Sequence, residues 1–243
     1  MNVYSVNDVA QYVDQHINEF NNKMIGLLPC LSLKDLIRQS NVYYLRTTNS
    51  YSAYEVVKKT VDDYLSSKEE FIFNDILKQL AISIATQDSS GTKSTFEGVD
   101  LEITKNGIEY LVSIENTPTI IDNQKIEKLI ELWKRAEHII NQEKPGTIVR
   151  AVYGVAYGND DLPNNGDYLQ LCGQKFWEFI SDNPDLFLEI IEPIGHVAAI
   201  NNEDYFSEYT RLLNRFMDEF FHDFCPDGMI DWPKLVRLNS GSN

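Results

Sequence analysis

A chain of 243 residues is long enough to bury one sizeable core, and its 43% hydrophobic and 24% charged side chains exclude a disordered or fibrous protein. With 37 acidic against 21 basic residues the net charge is −16, which argues against a broad, sequence-independent attraction to polyanions but leaves room for basic residues gathered in one cleft. No apolar run approaches a membrane span and no secretory leader is visible. The scattered Cys30, Cys172 and Cys225 form neither a disulfide framework nor a zinc knuckle, so a reduced cytoplasmic protein with mostly buried cysteines is expected.

Apolar residues from Val6 to Phe20 recur at three-and-four spacing and predict an amphipathic helix, capped by Ser5 or Asn7. A short helix is expected after Ser32. The runs Ser52 to Leu65 and Glu69 to Ala85 predict two more, so that residues 1–88 are mainly helical. After the polar stretch TQDSSGTK the period changes. Gly98 to Thr104 and Ile108 to Glu115 alternate apolar and polar around Asn106-Gly107, the signal of a two-residue hairpin turn. A helix from Asp122 to Asn141 and a strand from Thr147 to Tyr157 complete a sheet core over residues 92–160. Helices near Gly173 to Ile180, from Asn202 to Phe224 and after Asp231 make residues 165–243 a helical C-terminal part. There is no internal repeat, and Pro118, NDDLPNNGD and CPDG read as loop punctuation, so a single domain over residues 1–243 is expected.

The predicted hairpin sets Asp100 opposite Ser113 and Gly98 opposite Glu115. One face carries Val99, Leu101, Ile103, Tyr110, Val112 and Ile114. The other carries Asp100, Glu102, Ser113 and Glu115, interrupted only by Leu111. Such a polar face ordinarily meets water. It also suits a site, because Asp100, Ser113 and Glu115 are direct or diagonal neighbours and Gly98 leaves room for an ion or a substrate. Two carboxylates with the Ile114 carbonyl are hard oxygen ligands suited to Mg²⁺.

The helix from Asp122 offers Gln124, Lys125 and Lys128 to backbone phosphates, although interleaved Glu127 and Glu131 fit an ion-paired surface helix equally well. His16, His138, His196 and His222 show no metal-binding spacing and read as structural, while Trp133, Trp177 and Trp232 fall at core positions. The tyrosines and asparagines of AVYGVAYGNDDLPNNGDY suit either base-edge contacts or a plain surface loop.

The hairpin segment EGVDLEITKNGIEYLVSIENTP resembles the PmeII family of type II restriction endonucleases, within the PD-(D/E)xK nuclease superfamily, whose segments read EGIDLEF and YLVSIKSGP. The likeness continues through SSKEEFIF, AYGNDD, DYLQLCGQKFWEFIS, LEIIEPIGH and FCPDGMIDWPKLVRLNSG. It implies an α/β restriction-endonuclease-like fold: a central mixed sheet flanked by helices, with a helical N-terminal half. It further implies sequence-specific hydrolysis of double-stranded DNA with Mg²⁺, or Mn²⁺ as a substitute. A homodimer is expected, since symmetric DNA sites suit twofold proteins, and so is a cognate DNA methyltransferase in the same system.

The resemblance makes Asp100 the central metal-binding aspartate and Glu70 an acidic residue on the preceding helix that completes the site. Ser113 takes the first position of the acidic-x-lysine element, and Glu115 stands where the family has lysine. A lysine there supplies positive charge beside the scissile phosphate, which glutamate does not, so impaired catalysis is expected, with a catalytic lysine displaced onto Lys125 or Lys128 as a further option. The alternative is a catalytically inactive, sequence-specific DNA-binding protein on the same fold. An acidic interaction protein without DNA affinity takes the net charge at face value.

Overall fold

The computed structural model describes residues 6–48, 52–87, 91–118, 123–159, 166–198 and 202–241. In chain order the elements are α1 (Val6–Leu27), a 3-10 turn (Leu28–Cys30), α2 (Leu33–Gln39), α3 (Val42–Thr47), α4 (Ala53–Gln87), β1 (Gly91–Lys93), β2 (Leu101–Lys105) and β3 (Ile108–Glu115). They continue with α5 (Asn123–Glu143), β4 (Ile148–Val155), β5 (Leu169–Cys172), α6 (Gln174–Ser181), α7 (Leu186–Glu189), α8 (Ile191–Ala198), α9 (Asn202–Phe224) and α10 (Trp232–Ser240). A mixed sheet flanked by helices, preceded in the chain by a helical N-terminal half, is the α/β architecture expected. Among the described residues no helix is long and apolar enough to cross a membrane.

The chain groups into two compact units, Met1–Gln15 with Asn74–Val197, and His16–Phe73 with Ala198–Asn243. The first holds the sheet, in the order β1-β2-β3-β4-β5. β1, β2 and β3 are antiparallel, and β3, β4 and β5 run parallel. Asn106 (φ 52) and Gly107 (φ 76) both take the left-handed conformation that a tight hairpin turn requires, and they pair Lys105 with Ile108 and Leu101 with Val112, the predicted register. β1 and β5, at three and four residues, are too short to show an alternation and escaped the sequence reading.

Two expectations about the hairpin need correction. The strand predicted from Gly98 begins at Leu101, because Gly98 turns the chain at φ +77 and Val99 N–H bonds back to Phe96 O at 3.2 Å. The polar face is not open along its length. Leu129, Trp133, Ala136 and Ile140 form the apolar stripe of α5 and pack with Leu111 and Tyr153 of the sheet, so Leu111 and Ser113 are both buried. Val99, displaced by the turn, joins this side rather than that of Leu101.

The other face is closed in part by α6. Tyr110 meets Phe179 edge to face at 5.1 Å, and the Phe176 ring lies so close to Gly154 that a Cβ there would stand 2.5 Å from it. Leu101, Ile103, Val112 and Ile114 are fully or almost fully buried. Trp133 and Trp177 are core residues as predicted, whereas Trp232 is half-buried beneath the Arg46 guanidinium, 5.0 Å from its centroid. Cys172 and Cys225 are buried and Cys30 is exposed.

The second unit is helical around a core that includes Leu36, Ile37, Val57, Phe216 and Phe220. Ser32 caps α2 by accepting Asp35 N–H at 3.4 Å, and Asp231 caps α10 by accepting Lys234 N–H at 2.9 Å. Asn239 of α10 donates to the carbonyls of Ile37 and Ser40 at 2.8 and 2.9 Å, satisfying the end of α2. The runs predicted as two helices around residue 66 are one helix of 35 residues, α4, since Ser66, Ser67 and Lys68 include no breaker and the Ser67 hydroxyl bonds back to the Asp63 carbonyl at 3.1 Å. The proposed Ser5 cap, the start of the helix predicted at Asp122 and residues 160–165 of the NDDLPNNGD loop lie outside the described residues.

Candidate active site

The C-terminal end of β3 gathers the acidic residues. Asp100, one residue before β2, turns its carboxylate onto β3, where Oδ2 accepts the Ile114 N–H at 2.7 Å. Glu115 follows as the last residue of β3, its side chain 15% exposed. The Ile114 peptide therefore carries one carboxylate on its N–H and the next in sequence beyond its carbonyl. Asp100 and Glu115 thus both bear on the end of β3, one through the Ile114 N–H and the other as its last residue.

Each carboxylate holds an ammonium. Lys78 of α4 places Nζ 2.8 Å from Asp100 Oδ1, both side chains being partly buried at 28% and 22% exposure. Lys125, in the first turn of α5, pairs with Glu115. A cation at a helix N-terminus is disfavoured by the helix dipole, and Glu115 supplies the compensating charge. Lys125 was read from sequence as a phosphate contact or a displaced lysine. Its ion pair with Glu115 was not foreseen, and Lys78 was missed altogether. The one signal for Lys78 was a cation inside the otherwise broadly apolar run from Glu69 to Ala85.

Ser113 has an inward-facing role. Its hydroxyl donates to the Gly98 carbonyl and accepts the Trp133 indole N–H at 2.8 Å, and the residue is 1% exposed. The space expected beside Gly98 is filled by α5, since a Cβ on Gly98 would stand 2.6 Å from Leu132 Cδ1. The strand end is thus tied to α5 from inside, and the chain beyond it is held from β4 and β5. Tyr153 donates to Thr117 O at 3.0 Å, Tyr157 donates to Asn116 O, and Gln170 Nε2 donates to Pro118 O at 2.8 Å. Burial, with the Glu115 charge next in importance, pushes the Tyr153 phenol well above its ordinary pKa, so it stays a neutral donor.

The remaining predicted residues lie on helices. Glu70 is an exposed residue of the helical unit, on the part of α4 that precedes Asn74. Gln124 and Lys128 are exposed on α5. Among the described residues no group of three or more His, Cys, Asp or Glu lies close enough to hold a metal. His138 contacts Gln142 at 3.0 Å and His222 is exposed on α9.

A mixed five-stranded sheet flanked by helices defines an α/β protein of restriction-endonuclease-like architecture. Residues 7–202 match the family model described as type II restriction endonuclease EcoO109I, and the chain belongs to that family. The match upholds a type II restriction endonuclease family, and it is the EcoO109I family that it shows, not the PmeII family that the motifs resemble. No curated protein matches the chain.

Proposed function

We propose that the protein is a Mg²⁺-dependent type II restriction endonuclease that hydrolyses phosphodiester bonds at a specific sequence in double-stranded DNA, acting in the cytoplasm as a homodimer beside a cognate methyltransferase. The observation that carries this reading is the Asp100 carboxylate bonded to the Ile114 N–H next to Glu115, in a chain of a restriction endonuclease family. Asp100, the Ile114 carbonyl and Glu115 are oxygen donors of the kind Mg²⁺ takes. The chemistry of the donor set fits the ion. When bound, Mg²⁺ would neutralise charge on the phosphate and acidify a water.

The protein's own groups have separable tasks. Ile114 N–H fixes the orientation of Asp100, while Trp133 and the Gly98 carbonyl hold Ser113 and with it the strand end. Exposed Gln124, Lys125 and Lys128 on α5 suit contacts to the DNA backbone. The sequence likeness of the hairpin supports the finer kinship with the PmeII family and the PD-(D/E)xK nucleases.

Incubation of the purified protein with diverse long DNA in Mg²⁺ or Mn²⁺ tests the reading. Discrete fragments are expected, and their absence under all conditions would sink it. The second reading, a sequence-specific DNA-binding protein without catalysis, is favoured by one observation: the position that would carry the lysine is a glutamate already paired with Lys125. It predicts gel shifts on particular sequences without cleavage.

A further inference from the structure

We infer that Lys78 is the resident counter-cation of Asp100, an ammonium that a divalent ion must displace before it binds; the inference rests on the metal reading above. Both Asp100 oxygens are already engaged, Oδ1 by Lys78 at 2.8 Å and Oδ2 by the Ile114 N–H at 2.7 Å. A carboxylate oxygen has a second lone-pair site, but a dication on it would stand within a few ångströms of the ammonium, where like charges repel strongly. The two cations therefore exclude each other. The Ile114 N–H carries no net charge and can stay.

Lys78 and Lys125 differ in this respect. Lys125 is 56% exposed near the start of its helix and can swing into water when Glu115 is claimed by an ion. Lys78, in the body of α4, is 28% exposed, half as much as Lys125, so its head has less water to retreat into. Displacing it has a larger cost. The displaced ammonium stays close to the strand end, where a DNA phosphate is an anion it can pair with. Metal binding is therefore weak without DNA and strengthened by it. The same exchange provides the positive charge that Glu115 cannot.

Calorimetric titration of Mn²⁺ into the DNA-free protein tests this, comparing the unaltered chain with Lys78→Met, Lys78→Gln and Lys78→Arg. Loss of one partly buried ion pair predicts that Lys78→Met binds Mn²⁺ about three- to tenfold more tightly. Lys78→Gln should do the same with a polar side chain, guarding against a folding defect, and Lys78→Arg should restore weak binding because it restores the charge. Asp100→Asn should abolish the tightening in each background. If the unaltered protein binds Mn²⁺ and neither neutral variant binds more tightly, the counter-cation role is wrong and the metal site stands. If no form binds, with or without DNA, both the metal reading and this inference fall.

Discussion

Trp133 of α5 donates its indole N–H to the Ser113 hydroxyl of β3 at 2.8 Å, a buried link between the helix that covers the sheet and the strand that ends in Glu115. Ser113→Ala leaves the indole N–H and the Gly98 carbonyl without this partner in a site too tight for easy hydration. We expect a loss of about 1–3 kcal/mol, the usual cost of an unmade buried hydrogen bond. Denaturant unfolding measures it, and a stability equal to that of the parent would show the link to be dispensable.

Asp100→Asn should abolish cleavage without unfolding the chain. The amide oxygen can still accept the Ile114 N–H, but the anion that would attract a metal is gone. Circular dichroism should be unchanged while fragment formation stops. Normal cleavage by this variant would remove Asp100 from catalysis.

On the proposed reading, Glu115→Lys would supply the lysine of an acidic-x-lysine element and would leave Asp100 and the Ile114 carbonyl to hold the ion. It also sets two ammonium groups together, because Lys125 now pairs with Glu115. The cleaner form is Glu115→Lys with Lys125→Gln. A single well-placed charge is worth on the order of 10²–10³ in rate in other enzymes, so a gain approaching that size is expected in a fragment time course in Mg²⁺. DNA binding in Ca²⁺ should tighten as well. If neither form cuts faster nor binds more tightly, position 115 lies outside the active site.

The Lys34–Asp223 pair, 3.0 Å apart in the helical unit, should give stability a pH dependence. The hydrogen bond from Lys34 holds the Asp223 carboxyl below its ordinary value, and the same bond holds the Lys34 ammonium above its own. Stability from Asp223 is present above its unfolded pKa and is lost as pH falls through the lower folded value. Stability from Lys34 is present below its unfolded pKa and is lost as pH rises through the higher folded value. Lys34→Met should thus lower Tm slightly across the neutral range, as for other largely exposed pairs, with the difference closing in acid. A difference that persists below the folded pKa of Asp223 would have to come from packing.

Gly154→Ala should destabilise the sheet by about 1–3 kcal/mol, the typical cost of forcing an extra carbon into a filled core. The added Cβ would meet the Phe176 ring at 2.5 Å, and a buried aromatic ring has no free end to swing aside. Thermal unfolding of this variant is the measurement. An unshifted Tm would mean that α6 slides without cost.

Local chemistry made part of the site legible in advance. Asn106-Gly107 forces a turn that only residues tolerant of positive φ can make, and this turn sets the register that brings Asp100 across from β3. The helix expected from Asp122 to Asn141, with Trp133 at a core position, was legible as well, and Leu129, Trp133, Ala136 and Ile140 make up its buried face. Periodicity says which face is buried but not what it is buried against. That α5 covers the supposedly open face of the hairpin, and that Trp133 consumes the Ser113 hydroxyl, follows from the path of the chain between β3 and β4. The ion pair of Lys78 with Asp100 and that of Lys125 with Glu115 were beyond sequence for the same reason. A lysine side chain is long and equally at home in water, so nothing in its neighbours along the chain names its carboxylate. Only the packing of α4 and α5 around the strand ends decides which ammonium reaches which acid.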